Sequence, residues 1–351
     1  MNTKLTNIVE QFAFEGTICK IKPLGEGLIN DTYKVKTCET DRPDYVLQRI
    51  NHHVFPDLGM VMHNIDAVTS HIRNTLAAKE TLDIDRRVLR FLPTKNDGNL
   101  YTMLNDGTYW RMMVFIDNAI TKQNIDIENS REAGRAIGNF QKMLADIPVH
   151  LGETIKDFHN MEFRLEQLCD VVKQDPAGRV KEERVQKMLA EIGTRAEEMC
   201  KAERLGREGI LPKRVCHCDT KVNNMLFNKE GKVICIIDLD TVMHNFIFSD
   251  YGDFLRTAAN TVAEDCPEMG KVQFRMDIFK AFTEGYLMSA QDFLLPIETD
   301  NLPYATALFP YMQCVRFLWD YLNGDKYWKC QYANHNFVRA NNQLHLLFSI
   351  E

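Results

Sequence analysis

The densest run of chemically useful side chains is His217-Cys218-Asp219-Thr220-Lys221-Val222-Asn223-Asn224, followed by an apolar stretch and then Ile237-Asp238-Leu239-Asp240. These types suit transfer of a phosphoryl group. That chemistry needs a carboxylate near the attacking hydroxyl, oxygen ligands for Mg²⁺, and cations on the phosphates. Asp219 would accept the hydroxyl proton, Asn224 and Asp238 would hold Mg²⁺, Lys221 would lie along the transferring phosphate, and His217 would brace the loop from behind. Two other readings compete for the same residues. Taken singly, they make a polar loop after a buried strand, with Asp238 and Asp240 capping turns. Cys216, His217 and Cys218 are also zinc-ligand types. Adjacent residues on a strand alternate in direction, however, and the spaced cysteine pair and second ligand pair of a structural zinc site are missing.

The elements that must position these groups can be read from period and punctuation. The first third is β-rich, with strands expected at Ile18–Pro23, Thr32–Lys36 and Tyr45–Ile50. The glycine turn Gly25-Glu26-Gly27 joins the first two, and Asp41-Arg42-Pro43-Asp44 is turn chemistry before the third. Val61, Ile65, Val68 and Ile72 fall at helical spacing. Strands at Leu100–Leu104 and Tyr109–Phe115 are joined by Asn105-Asp106-Gly107. Beyond Asp117 the pattern turns helical. Ala133, Ile137, Phe140, Leu144 and Ile147 share a face that Pro148 ends, and Met161–Val172 and Val180–Ala202 follow. A hairpin, Met225–Phe227 and Val233–Ile237 around Lys229-Glu230-Gly231, interrupts the helices, and from Tyr251 the chain reads helical to its end.

Composition bounds the partners. The chain has 351 residues, 45% of them hydrophobic, enough for a sizeable core and for a bilobal unit. A net charge of −7 supplies no global basic field, so nucleic acid is not an expected partner. No run approaches the roughly 18 apolar residues of a membrane span, and MNTKLTNIVEQF lacks the apolar core of a signal peptide. Ten cysteines without such a signal suggest reduced thiols and a cytoplasmic protein.

The catalytic loop of protein kinases runs H-R-D-L-x-x-x-N, and His217, Asp219 and Asn224 keep those offsets. HCDTKVNN followed by IDLD resembles the aminoglycoside phosphotransferase and choline kinase superfamily, and within it the N-acetylhexosamine 1-kinases, which phosphorylate the anomeric hydroxyl of GlcNAc and GalNAc. The resemblance covers nearly the whole chain through GEGLINDTYKV, YVLQRIN, HCDTKVNN, IDLDTVM and RFLWDYLNGDKYWK. It implies an α+β, protein-kinase-like bilobal fold, with a β-rich nucleotide-binding lobe at 1–117 and a mainly helical catalytic and substrate lobe at 118–351. It implies ATP and Mg²⁺ as cofactors and a small-molecule sugar as substrate. Gly25, Gly27, Asn30, Arg49 and Phe115 would contact the nucleotide, near a hinge at Val114 to Asp117. Arg316 and Tyr327, with Asp219, would hold the sugar hydroxyls, and Trp328 would add an aromatic face. Asp253, in Ser249-Asp250-Tyr251-Gly252-Asp253, would steady the catalytic loop.

Two features depart from the pattern. The glycine turn has two glycines, not three. No Glu stands at Met62-His63-Asn64 to pair with Arg49, which leaves Asp66 as the expected partner. A kinase of another small alcohol (choline, ethanolamine, homoserine or an aminoglycoside) and an inactive nucleotide-binding protein remain alternatives. The Arg316 region argues against the cationic acceptors, and the intact Asp219, Asn224 and Asp238 argue against inactivity. Cys266-Pro267-Glu268 does not supply a sulfatase nucleophile motif.

Overall fold

The computed structural model describes residues 3–25 and 30–351. Gly27, expected at the nucleotide, lies outside them. In chain order the elements are α1 (Thr3–Val9), β1 (Ile18–Pro23), β2 (Asp31–Thr37), β3 (Tyr45–Ile50), α2 (Leu58–Ala78), α3 (Ile84–Arg87), β4 (Thr102–Met103) and β5 (Tyr109–Val114). Then come α4 (Ile127–Met143), α5 (Met161–Gln174), α6 (Glu183–Met199), α7 (Lys201–Arg207), β6 (Arg214–Cys216), β7 (Met225–Phe227), β8 (Val233–Ile236) and β9 (Met243–Asn245). The last helices are α8 (Phe248–Ala258), α9 (Met276–Ala290), α10 (Pro296–Asp300), α11 (Leu302–Leu322) and α12 (His335–Ile350). The mixed α+β content is the one the sequence implies. The C-terminal third is less continuous than its pattern suggests, because residues 259–275 and 323–334 are largely loop.

The chain forms two compact units. The first holds residues 1–121, 146–155 and 225–243. Its sheet runs β1-β2-β3-β5-β4, with every described neighbour antiparallel. Alternation along β3 and β5 sends Tyr45, Leu47, Met112 and Val114 into a core shared with Val35, Trp110 and helix α1. The β7–β8 hairpin joins this unit, with Phe227 and Ile120 exchanging backbone hydrogen bonds of 2.8 and 2.9 Å. Just beyond the hairpin, residues 239–242 are anchored from three sides. Buried Arg111 on β5 forms an ion pair with buried Asp240, and Asn30 Nδ2 donates to the other Asp240 oxygen at 2.9 Å. Asn64 Nδ2 on α2 donates to the Val242 carbonyl at 2.9 Å. Deleting one member of such a buried pair costs about 3–5 kcal/mol, so this anchoring is firm.

The second unit holds residues 122–145, 156–224 and 244–351. Its core is built on α11, whose Leu308, Met312, Val315 and Leu322 pack with α5, α6 and α12. Helices α4 and α9 approach backbone to backbone. A Cβ on Gly134 would collide with the Phe282 carbonyl, and one on Gly285 with that of Arg131. This close crossing puts Gln141 of α4 beside Tyr286 of α9, whose hydroxyl donates to Gln141 Oε1 at 2.6 Å.

Candidate active site

In the second unit the loop after β6 is fixed by a carboxylate to which the sequence pattern gave no role. Asp250, fully buried at the start of α8, accepts the Cys218 N–H at 2.8 Å on one oxygen. Its other oxygen accepts the His217 N–H at 3.1 Å and Gln141 Nε2 at 2.8 Å. Thr220 Oγ1 donates to the Asp250 carbonyl at 2.7 Å. Burial pushes the Asp250 carboxyl up, yet every partner is a donor that favours the carboxylate. Cys218 sits at φ +64°, a left-handed conformation that costs a non-glycine residue about 1 kcal/mol or more and persists only where surroundings impose it. The hydrogen bonds to Asp250 impose it here. The expected brace, Asp253, lies one turn on and is bound through Oδ1 to Arg256 Nε and Nη2 at 3.2 and 3.0 Å. Asp250 and Asp253 leave α8 from the same side at different heights, so Asp250 takes the loop's amides while Asp253 acts on Lys221 through its charge.

The loop so held presents three groups together. Lys221 Nζ is 2.7 Å from Asp219 Oδ1. Asn224 Nδ2 donates to Asp219 Oδ2 at 3.1 Å and to the Asp219 carbonyl at 2.8 Å. The Asp219 N–H donates to His217 Nδ1 at 3.2 Å. Burial alone would push the Asp219 carboxyl up. Lys221, His217 and the Asn224 amide outweigh burial and hold it below the usual carboxylate range. Lys221 is pushed the other way, burial being overcome by Asp219 and Asp253. With its nitrogen on Asp219, the Asn224 amide has its oxygen left for a hard cation, the ligand type Mg²⁺ takes.

The residues expected at the acceptor gather in the same unit. Arg316 of α11 is buried, and its guanidinium stacks over Phe158 at 5.1 Å and Trp328 at 5.3 Å. Its hydrogen bond goes to the neutral Gln313, 3.0 Å away, and no described carboxylate is within ion-pair distance. Burial lowers its pKa, as it does for Arg164, which burial and neighbouring Arg316 push down to about 9. Trp328 packs on Phe317 at 4.7 Å and on Tyr327 at 4.6 Å, and Tyr327 is half exposed. Two further groups lie close by, of which only Asp253 was expected near the loop. His159, buried between Phe158 and Phe309, is held neutral by burial and by Arg316, Arg164, Arg256 and Lys221. Asp253 leaves a buried oxygen, Oδ2, without a hydrogen bond. No local pattern marks His159, which joins the site only when α8, α11 and residues 156–160 pack together.

The nucleotide and metal expectations that fall in the first unit are spread along it. Asp238 adopts φ +63°, a second left-handed non-glycine at a candidate ligand, just before the anchored residues 239–242. Asn30 bridges Asp240 and the Asn51 N–H, which it accepts at 3.0 Å. Gly25 has φ +73°, as its turn requires. Phe115 carries the Lys34 ammonium 3.6 Å from its ring centroid. Arg49 pairs with Asp31, its register partner on β2, at 3.4 Å, both side chains exposed. The expected partner, Asp66, instead accepts from Ser70 Oγ within α2. Arg49 shares the face of Tyr45 and Leu47 but is exposed near the end of β3, whereas Arg111 of β5, on the opposite face beside Gln48, is buried.

A five-stranded antiparallel sheet, a helical second unit, and an Asp-Lys-Asn loop braced from below define a kinase-like phosphotransferase. The chain belongs to the phosphotransferase enzyme family, whose model matches residues 20–284. Solved structures share the fold at low identity. An aminoglycoside phosphotransferase of Alicyclobacillus acidocaldarius is similar at TM-score 0.61 and 12% identity, over 98% of this chain and 94% of its own. Amicoumacin kinase, solved with AMP-PNP, Ca²⁺ and amicoumacin, gives 0.61 and 12%, over 98% and 92%. A choline kinase of Cryptosporidium parvum gives 0.58 and 16%, over 93% and 88%. Among the described residues no helix is long and apolar enough to cross a membrane.

Proposed function

We propose that the protein transfers the γ-phosphoryl group of ATP to the anomeric hydroxyl of an N-acetylhexosamine, giving the sugar 1-phosphate and ADP. The observation that carries the choice of acceptor is Arg316: buried, stacked between two aromatic rings, free of any described carboxylate, and within the electrostatic field of Asp219. A buried guanidinium without an acid partner favours an acceptor that offers oxygen atoms. It disfavours choline, ethanolamine or an aminoglycoside, whose cations would meet like charge from Arg316 and Arg164, neither of which has a described ion pair. Aromatic faces at Phe158 and Trp328 suit the apolar side of a sugar ring.

In this reading Asp219 orients the attacking hydroxyl and takes its proton. Its lowered pKa makes it a weak base, which suffices for a loose transition state in which the proton leaves late. Lys221 neutralises Asp219 at rest and offers its ammonium to the transferring group. Asn224 and Asp238 would each offer an oxygen to Mg²⁺, which would neutralise charge on the phosphates. Gly25, Asn30, Arg49 and Phe115 are the nucleotide contacts of the described chain, with Gly27 beside them in sequence.

Phosphorus NMR with ATP, Mg²⁺ and a panel of GlcNAc, GalNAc, glucose, galactose, choline, homoserine and an aminoglycoside tests this directly. A new resonance coupled to an anomeric proton is the expected result. Product from an amine or amino alcohol alone keeps the phosphotransferase and discards the sugar.

A further inference from the structure

The loop that carries Tyr327 and Trp328 has little core of its own. Residues 325–334 are mostly exposed, and Gly324 and Asp325 both have positive φ, +89° and +59°. Such a segment needs an anchor to hold two aromatic rings in place. One is present in Asp320, fully buried on the last turns of α11. Its Oδ1 accepts the N–H groups of Lys326 at 2.9 Å and Tyr327 at 2.8 Å. Its Oδ2 accepts the N–H of Trp328 at 3.1 Å and Asn336 Nδ2 at 2.8 Å. No described cation is within ion-pair distance of it. The charge is met by donors alone, three of them consecutive backbone amides, which is the arrangement of an anion nest.

Asp320 stands four residues after Arg316, so the two leave the same face of α11. Folding residues 326–328 back onto Asp320 is what lays Trp328 on Phe317 and beneath the Arg316 guanidinium. The geometry points to Asp320 as the positioning residue of the acceptor platform: its carboxylate sets where Tyr327 and Trp328 stand, and through Trp328 where Arg316 points. This rests on the reading that those residues hold the acceptor. A carboxylate is required, because an amide at 320 would turn an N–H toward N–H donors on one side or the other.

The test is Asp320→Asn in the full chain, read two ways. Hydrogen exchange of residues 323–334 should accelerate about a hundredfold as the pinned amides open. The KM for GlcNAc should rise about tenfold to a hundredfold while the KM for ATP stays within about twofold. Unchanged exchange, or equal rises in both KM values, overturns the proposal. Should that variant fail to fold, Asn336→Ala removes one donor and should raise exchange and the GlcNAc KM in the same direction, about threefold; no change in either overturns it. Trp328→Ala separates this from the acceptor reading. If it leaves the GlcNAc KM unmoved, the acceptor assignment fails, whereas exchange of 323–334 judges the anchor by itself.

Discussion

The catalytic loop and the acceptor loop are held by the same device at different depths. Each is fixed by one fully buried aspartate that accepts backbone N–H groups and a side-chain amide: Asp250 takes His217, Cys218 and Gln141, and Asp320 takes Lys326, Tyr327, Trp328 and Asn336. The surroundings differ. The loop over Asp250 is itself largely buried, packs beside α4, and includes a left-handed Cys218. The loop over Asp320 lies near solvent, with Tyr327 half exposed. The deep anchor guards the position of the group that reacts. The shallow one guards the groups that choose what reacts, and specificity loops can vary there without loosening the chemistry.

Substitutions should separate the two. The largest effect belongs to Asp219→Asn, which keeps the shape and removes the base: kcat should fall about 10²- to 10⁴-fold with ATP binding roughly intact. Turnover that survives would take the base role from Asp219. Asp250→Asn comes next. Both Asp250 oxygens face donors, so an amide must oppose one of them, costing about 3 kcal/mol in a urea titration. We expect kcat to fall with it, whichever acceptor is used. A kcat left unchanged would break the comparison on its deep side. On the shallow side, Arg316→Met keeps the aromatic stack filled and removes the charge. The acceptor KM should rise about tenfold or more with the ATP KM unmoved, and a parallel rise in both would mean that Arg316 only supports the core.

The device was half legible in the sequence. Strands β1 and β3 and the β7–β8 hairpin followed from alternation and turn residues, and His217, Asp219, Lys221 and Asn224 announced themselves by local spacing. Asp250 was in view within its motif without a role, while Asp253 was expected to steady the loop. Which of two carboxylates on one helix accepts the loop's amides depends on how α8 packs, and Asp250 is more than thirty residues from the amide of Cys218. Arg111 and Asp240 are farther apart still. Asp320 looked like one more charge on a helix, because its partners lie in an irregular turn that no periodicity describes.

The smallest effect concerns His159, which belongs to neither anchor but feels both loops. Its ring is closed in by Phe158 and Phe309, and the cations of Arg316, Arg164, Arg256 and Lys221 add to burial in keeping it neutral. Its folded pKa is therefore below its unfolded value of about 6.5. As pH falls through that unfolded value, the unfolded chain binds a proton that the folded one refuses, so stability falls with pH. The slope from this group approaches about 1.4 kcal/mol per pH unit. His159→Phe removes it while keeping an aromatic ring between Phe158 and Phe309. Urea stabilities at pH 7.0 and 5.5 should show the native chain losing up to about 1.3 kcal/mol more than the variant over that interval. Equal losses would mean that His159 takes up its proton in the folded state, against the burial and the cations of Arg316, Arg164, Arg256 and Lys221 around it.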